Sequence, residues 1–289
     1  MTAIRDQGPI GAATAARPLR FRPRTALLLA ATSLFGVAAF AWPLVVSVSA
    51  GANAAHSGDA PWILLALLPL VLAILVGEMA DGALDAKAIA MLGVLAACGS
   101  ALRLASPGVA GFEPTFFLLI PAGRVLGRGF GFVLGAVTLF ASALMTGGVG
   151  PWLPFQMFGA AWMGFGAGSL PPCRGRREIG LLVAYTAAAA LAYGALLNLW
   201  FWPLELGGQT RISYIPSAGL LTNLHHFLTF DLTTSLGFDI PRAVINGLLV
   251  AVLGPAVLAT LRRASHRAAF DAPVTFGPSP GGSGQRVEP

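Results

Sequence analysis

Apolar positions along the chain fall into long, nearly unbroken runs, with no strand-like alternation. They lie at Ala26–Ser49, Trp62–Met79, Ala86–Leu104, Pro114–Leu126, Phe130–Thr146, Trp152–Leu170, Ile179–Trp202 and Ile240–Leu261. A helix needs about 20 apolar residues to cross the hydrocarbon core of a bilayer. The pattern therefore predicts an all-α integral membrane protein with about eight transmembrane helices. The fourth run is short, about 20 Å of helix. It must thin the bilayer, pack inside the protein, or join its neighbour as a broken hairpin.

Composition supports this reading. Only 10% of the 289 residues are charged and 56% are hydrophobic, with a mean hydropathy of +0.75. Soluble domains carry about 25% charged residues, so a soluble enzyme is excluded. The net charge of +6 does not signal nucleic acid. The arginines sit in short clusters between apolar runs, where they act as topology signals. With the N-terminus inside, fifteen of the 18 Lys and Arg lie on the cytoplasmic side, leaving Arg103, Arg211 and Arg242 outside. That bias predicts a multi-pass plasma-membrane protein with both termini cytoplasmic. The first apolar run has no signal-peptidase site after it and reads as an anchor. Cys98 and Cys173 give neither a disulfide framework nor metal spacing.

Small residues recur at helical spacing. Ala86, Ala90, Gly93, Ala97 and Ala101 share one face of the third span; Gly123, Gly127, Gly131 and Gly135 run through the fourth and fifth; Ala160, Gly164 and Gly168 follow in the sixth. In lipid, helices associate through close van der Waals approach, which small side chains permit. Each ridge serves internal packing or, facing outward, docks another membrane protein.

The densest local signal is GGVGPWLPFQ at Gly147–Gln156. Its glycines and Pro151 break the helix at the outer face. Trp152 there is an interfacial anchor and Gln156 a hydrogen-bonding group to a neighbouring helix, or the two together wall a site for a heterocycle. Glu113 precedes Pro114 with Arg103 across the same loop. The pair is either an exposed ion pair of little worth or a ligand group near the membrane interior. Asn198, inside an apolar span, has the same two readings, interhelical hydrogen bond or ligand contact. The outer segment Pro203–Asp239 holds Tyr214, His225, His226, Phe227, Phe230 and Asp231. Its stretch Leu220–Leu236 is apolar enough for a helix lying on or dipping into the membrane. Adjacent histidines on a helix point about 100° apart and no His-Glu-x-x-His pattern occurs, so no metal site is expected. There is neither a P-loop nor a Gly-x-Ser-x-Gly elbow. ATP-driven transport would need its ATPase on another polypeptide.

Three segments, KAIAMLGVLAACGSALR at Lys87–Arg103, EPTFFLLIPAGRVLGRGFGFVLG at Glu113–Gly135, and Ser142–Gly168 with its GGVGPWLPFQMFGAAWMGFGAG, carry a resemblance. From Asp85 to Leu170, and more loosely to Leu261, the chain resembles the substrate-binding (S) components of energy-coupling factor (ECF) vitamin transporters, over about two thirds of its length. The resemblance implies a six-helix core at residues 85–263, preceded by an extra transmembrane hairpin at 26–84 that departs from the family pattern. Residues 1–25 would be a basic cytoplasmic tail and 264–289 a disordered one. It further implies an outer vitamin site, for which Glu113, Trp152, Gln156, Asn198 and Asp231 are the substrate-binding candidates. Docking on an ECF transmembrane coupling subunit with two cytoplasmic ABC ATPases would use an Ala-x-x-x-Ala face, here Ala86–Ala90 and Ala97–Ala101. ATP would be consumed by those partners, with no cofactor and no catalytic residue on this chain. The long outer loop is most similar to predicted cobalamin components. The competing expectations are a membrane scaffold whose ridges bind partner helices, and a membrane-embedded lipid-modifying enzyme built on His225, His226 and Asp231.

Overall fold

A computed structural model describes residues 23–45, 86–105, 111–205, 210–215 and 218–268. The expected second span at Trp62–Met79 and most of both expected tails lie outside the described residues; where the tails are described they are helical, 23–25 opening α1 and 264–268 continuing α8 instead of starting a disordered segment. Among the described residues there are eight helices and no strand. They are α1 (Pro23–Val45), α2 (Ala86–Leu104), α3 (Phe116–Leu126), α4 (Arg128–Thr146), α5 (Leu153–Ser169), α6 (Arg176–Glu205), α7 (Leu220–Thr234) and α8 (Leu236–Ala268). Four of them, α2, α4, α6 and α8, are long and apolar enough to cross a membrane. Helices suit that solvent because each satisfies its own backbone hydrogen bonds.

The helices overrun the apolar runs that announced them. α6 begins at Arg176 and ends at Glu205, and α8 begins at Leu236 and ends at Ala268. Apolar runs mark the hydrocarbon layer, whereas a helix continues into the headgroup zone, where charged side chains are solvated. Consequently much of Pro203–Asp239 is helical, with α6 reaching Glu205, α7 covering Leu220–Thr234 and α8 starting at Leu236.

The short fourth run resolves as α3, eleven residues with ten buried. It packs against α2, α4, α5, α6 and α8, so it sits inside the protein. It is also one arm of a broken hairpin. Gly127, at φ 99° and ψ 165°, is the single residue between α3 and α4, a conformation open essentially only to glycine.

Two of the three small-residue ridges meet each other. Gly123 and Gly131 face Gly164, Gly135 faces Ala160, and Gly168 abuts the backbone of Arg128. A Cβ at any of these glycines would overlap the partner helix's backbone. The α3–α4 hairpin and α5 therefore approach as closely as backbones can. The third ridge behaves differently. On α2 the residues facing in are Ala88, Leu92, Leu95, Ala96, Gly99 and Ser100, and the Ser100 hydroxyl donates to the Thr138 carbonyl of α4 at 3.1 Å. Ala86, Ala90, Gly93, Ala97 and Ala101 are exposed.

Aromatic side chains fill the remaining interior. Phe155 of α5 stacks on Trp200 of α6 at 4.7 Å, and Phe40 of α1 meets Phe155 edge-on at 5.1 Å. α7 buries Phe227 and Phe230 against Trp202 and exposes Leu221, Leu228 and Leu232 on its opposite face. Such a helix suits a position along a membrane surface.

Candidate binding site

Two polar clusters sit at opposite ends of the bundle. The first gathers where α2 and α6 end and where α3, α5 and α8 begin. Gln156 Oε1 accepts a hydrogen bond from Arg103 Nη2 at 3.1 Å. Arg103 Nε lies 3.8 Å from Glu113 Oε1, and Arg242 Nε lies 3.3 Å from Glu113 Oε2. Arg242 Nη1 donates to Asp239 Oδ1 at 2.5 Å. Asp231 of α7 is within electrostatic reach of Asp239. Asn198 Nδ2 donates to Asp231 Oδ1 at 2.6 Å and also contacts the Ser235 hydroxyl.

Supporting residues hold this chain of charges in place. Asn246 Nδ2 donates to the Glu113 carbonyl at 2.8 Å, while its Oδ1 accepts from the Phe117 N–H at 2.8 Å. It thereby satisfies one of the backbone N–H groups left over in the first turn of α3 and fixes Glu113 to α8. Tyr193 is buried, with Phe116 edge-on at 4.8 Å and the Arg242 guanidinium 5.5 Å from its ring centroid. Its ring lies over Gly159, where a Cβ would come within 2.7 Å.

The network is incompletely satisfied. Among the described residues, the Tyr193 hydroxyl, Arg103 Nη1 and Arg242 Nε are buried without a hydrogen-bond partner. The 3.3 Å approach of Arg242 Nε to Glu113 is thus an ion pair without hydrogen-bond geometry. Buried polar groups are normally paired. Three donors and the carboxylate they surround leave capacity for a ligand that offers both acceptors and a donor.

Of the five residues singled out for binding, Glu113 and Gln156 belong to this network, and Asn198 and Asp231 form a hydrogen-bonded pair of their own. Glu113 is buried, not an exposed pair with Arg103 alone. Trp152 stands apart, 45% exposed, with its indole N–H donating to the Gly148 carbonyl at 3.2 Å. It closes the GGVGPW turn one helical turn before Gln156. Tyr193, Asp239, Arg242 and Asn246 were not among the binding candidates read from the sequence. Arg242 and Asn246 carried a readable signal, being polar groups within the last apolar run. Tyr193 carried none, since an aromatic in an apolar span looks like core.

The histidines take other roles. His226 Nδ1 contacts the Ser213 carbonyl at 2.9 Å, and His225 is exposed. Asp231 is engaged with Asn198 instead. Among the described residues no three His, Cys, Asp or Glu side chains are grouped to hold a metal.

The second cluster joins the opposite helix ends and is fully knit. Arg124 Nε donates to Glu178 Oε1 at 2.9 Å and Arg124 Nη1 to the Leu170 carbonyl at 2.8 Å. Arg262 Nη2 donates to both Glu178 oxygens, at 2.7 and 2.8 Å. Three helices, α3, α6 and α8, are thereby tied around one carboxylate, and Arg124 also holds the residue that follows α5.

No family model, no curated protein and no solved structure matches the chain.

Proposed function

We propose that the protein is the substrate-specific membrane subunit of an ECF-type importer, binding a vitamin or related micronutrient on the outer side of the plasma membrane. In this reading residues 85–263 form the six-helix core, the extra hairpin at 26–84 precedes it, and both termini are cytoplasmic. The observation that carries the proposal is the buried, under-satisfied network running from Gln156 through Arg103, Glu113 and Arg242. Ionisable groups are costly inside a membrane protein and are kept for function, and here they stand beside the GGVGPWLP turn. The exposed Ala86, Ala90, Ala97 and Ala101 supply a face for the coupling subunit, whose two ATPases use the ATP. Cobalamin is the first vitamin to test.

The test is to purify the full chain in detergent from cells fed a vitamin mixture and to identify bound small molecules by mass spectrometry. A stoichiometric vitamin is expected. Glu113→Gln and Gln156→Ala should each weaken its binding about tenfold, the worth of one hydrogen bond to a charged group, with membrane insertion unchanged. A second reading, a scaffold that binds partner helices, is favoured by the exposed α2 ridge alone. A well-folded protein that stays empty with every vitamin, and co-purifies only with non-ATPase membrane partners, would decide for it.

A further inference from the structure

Beside the Arg124–Glu178–Arg262 cluster, a cavity of about 540 Å³ opens between α6 and α8. Its lining changes character along the helix axis. Arg176, Glu178 and Arg262 stand at the helix ends, whereas Ala251, Pro255 and Leu258 line the part towards the bundle centre. From Ala251 to Arg262 is about 16 Å of helix, so the cavity has a charged mouth and an apolar trough running into the membrane-spanning region. Ala251, Pro255 and Ala259 are exposed, which leaves the trough open to the hydrocarbon side.

Among the described residues the exposed charge at the mouth is positive. Glu178 is 2% exposed and already shared by two arginines, and it is the only acidic residue among the described ones at this end of the bundle. Arg174, Arg176, Arg177, Arg263, His266 and Arg267 are all exposed around it. Both flanking helices are long and apolar enough to cross a membrane, which puts the mouth at headgroup depth. Basic pockets between transmembrane helices at that depth are suited to anionic headgroups.

We infer that this cavity is a binding site for one anionic phospholipid, its phosphate held by Arg176 with Arg262 behind it and one acyl chain lying along Ala251, Pro255 and Leu258. Arg262 remains on Glu178 and contributes its charge; Arg176, exposed and outside the triad, makes the direct contact. An acidic protein surface would match the arginines but has no use for the apolar trough.

The experiment uses the full chain in mild detergent, with dioleoyl phosphatidylglycerol or dioleoyl phosphatidylcholine added, and native mass spectrometry to count retained lipid. One phosphatidylglycerol is expected to survive in preference to phosphatidylcholine. Arg176→Gln should lower its retention about five-fold, as for one arginine near an anionic headgroup. Ala259→Trp, which fills the trough and leaves every charge in place, should abolish it. Both positions are exposed, and a monodisperse elution profile checks that each variant folds. Soluble glycerol phosphate should compete poorly, because it lacks the acyl chain; equal competition would show a phosphate site and overturn the lipid assignment. Equal retention of the two lipids, or a loss with Arg263→Gln as large as with Arg176→Gln, would show only a diffuse basic surface and overturn it as well.

Discussion

The two ends of the bundle each bury a carboxylate between two arginines and treat it in opposite ways. Glu178 receives three hydrogen bonds of 2.7–2.9 Å from Arg124 and Arg262. Glu113 has Arg103 and Arg242 at 3.8 and 3.3 Å, with donor atoms of both arginines left over. A buried ion pair offsets its desolvation only when its hydrogen bonds are complete. The Glu178 end meets that condition and acts as a lock between helices. The Glu113 end does not, and it keeps unspent donors where a ligand would meet them.

That contrast can be broken or sharpened by substitution. The largest effect is expected for Glu178→Ala, which removes the carboxylate that Arg124 and Arg262 share and leaves both charges without their counter-ion. A loss of about 3–5 kcal/mol is expected, visible as a collapsed thermal transition in detergent. Glu113→Gln removes a buried charge whose contacts lack hydrogen-bond geometry, so its stability cost should be smaller than that of Glu178→Ala, about 1–3 kcal/mol, while ligand binding falls. If Glu113→Gln unfolds the protein as readily as Glu178→Ala, the two ends are both structural. Tyr193→Phe deletes a buried hydroxyl without a partner and should stabilise the ligand-free protein by about 1 kcal/mol, measured as a raised midpoint. A fall would mean that the hydroxyl has a partner in the folded state. The smallest effect is expected for Ala97→Leu on the outward face of α2, within about 0.5 kcal/mol. If the proposed importer reading holds, co-purification with a coupling subunit should nevertheless be lost.

Small-residue spacing shows how far the sequence could be read. Gly131, Gly164 and Ala97 belong to ridges with the same period and the same chemistry. Gly131 and Gly164 touch backbone to backbone, whereas Ala97 faces outward. Periodicity places residues on one face of a helix but says nothing about what that face meets. The binding candidates were legible for a different reason. Glu113, Gln156 and Asn198 are polar groups in or beside apolar runs, and lipid makes each of them conspicuous. Asp231 drew notice only through its loop, and its link to Asn198 depends on where α7 lies. Arg242 was conspicuous too, yet it was counted as a surface charge because it stands near the start of its run.

The sequence by itself pointed to a bilayer as the solvent and determined the element type. Its long apolar runs admit only helices in a bilayer, and its Gly and Pro clusters determine where those helices stop, as at Gly127 and Gly147–Pro151. Tertiary structure alone decided that the short fourth run sits inside the bundle, that Arg242 and Tyr193 join Glu113, and that one carboxylate is saturated while the other is not. The physical reason is range. Hydropathy and turn chemistry act over a few residues, but a hydrogen bond between Asn246 and Phe117, 129 positions apart, exists only after the helices have chosen their neighbours.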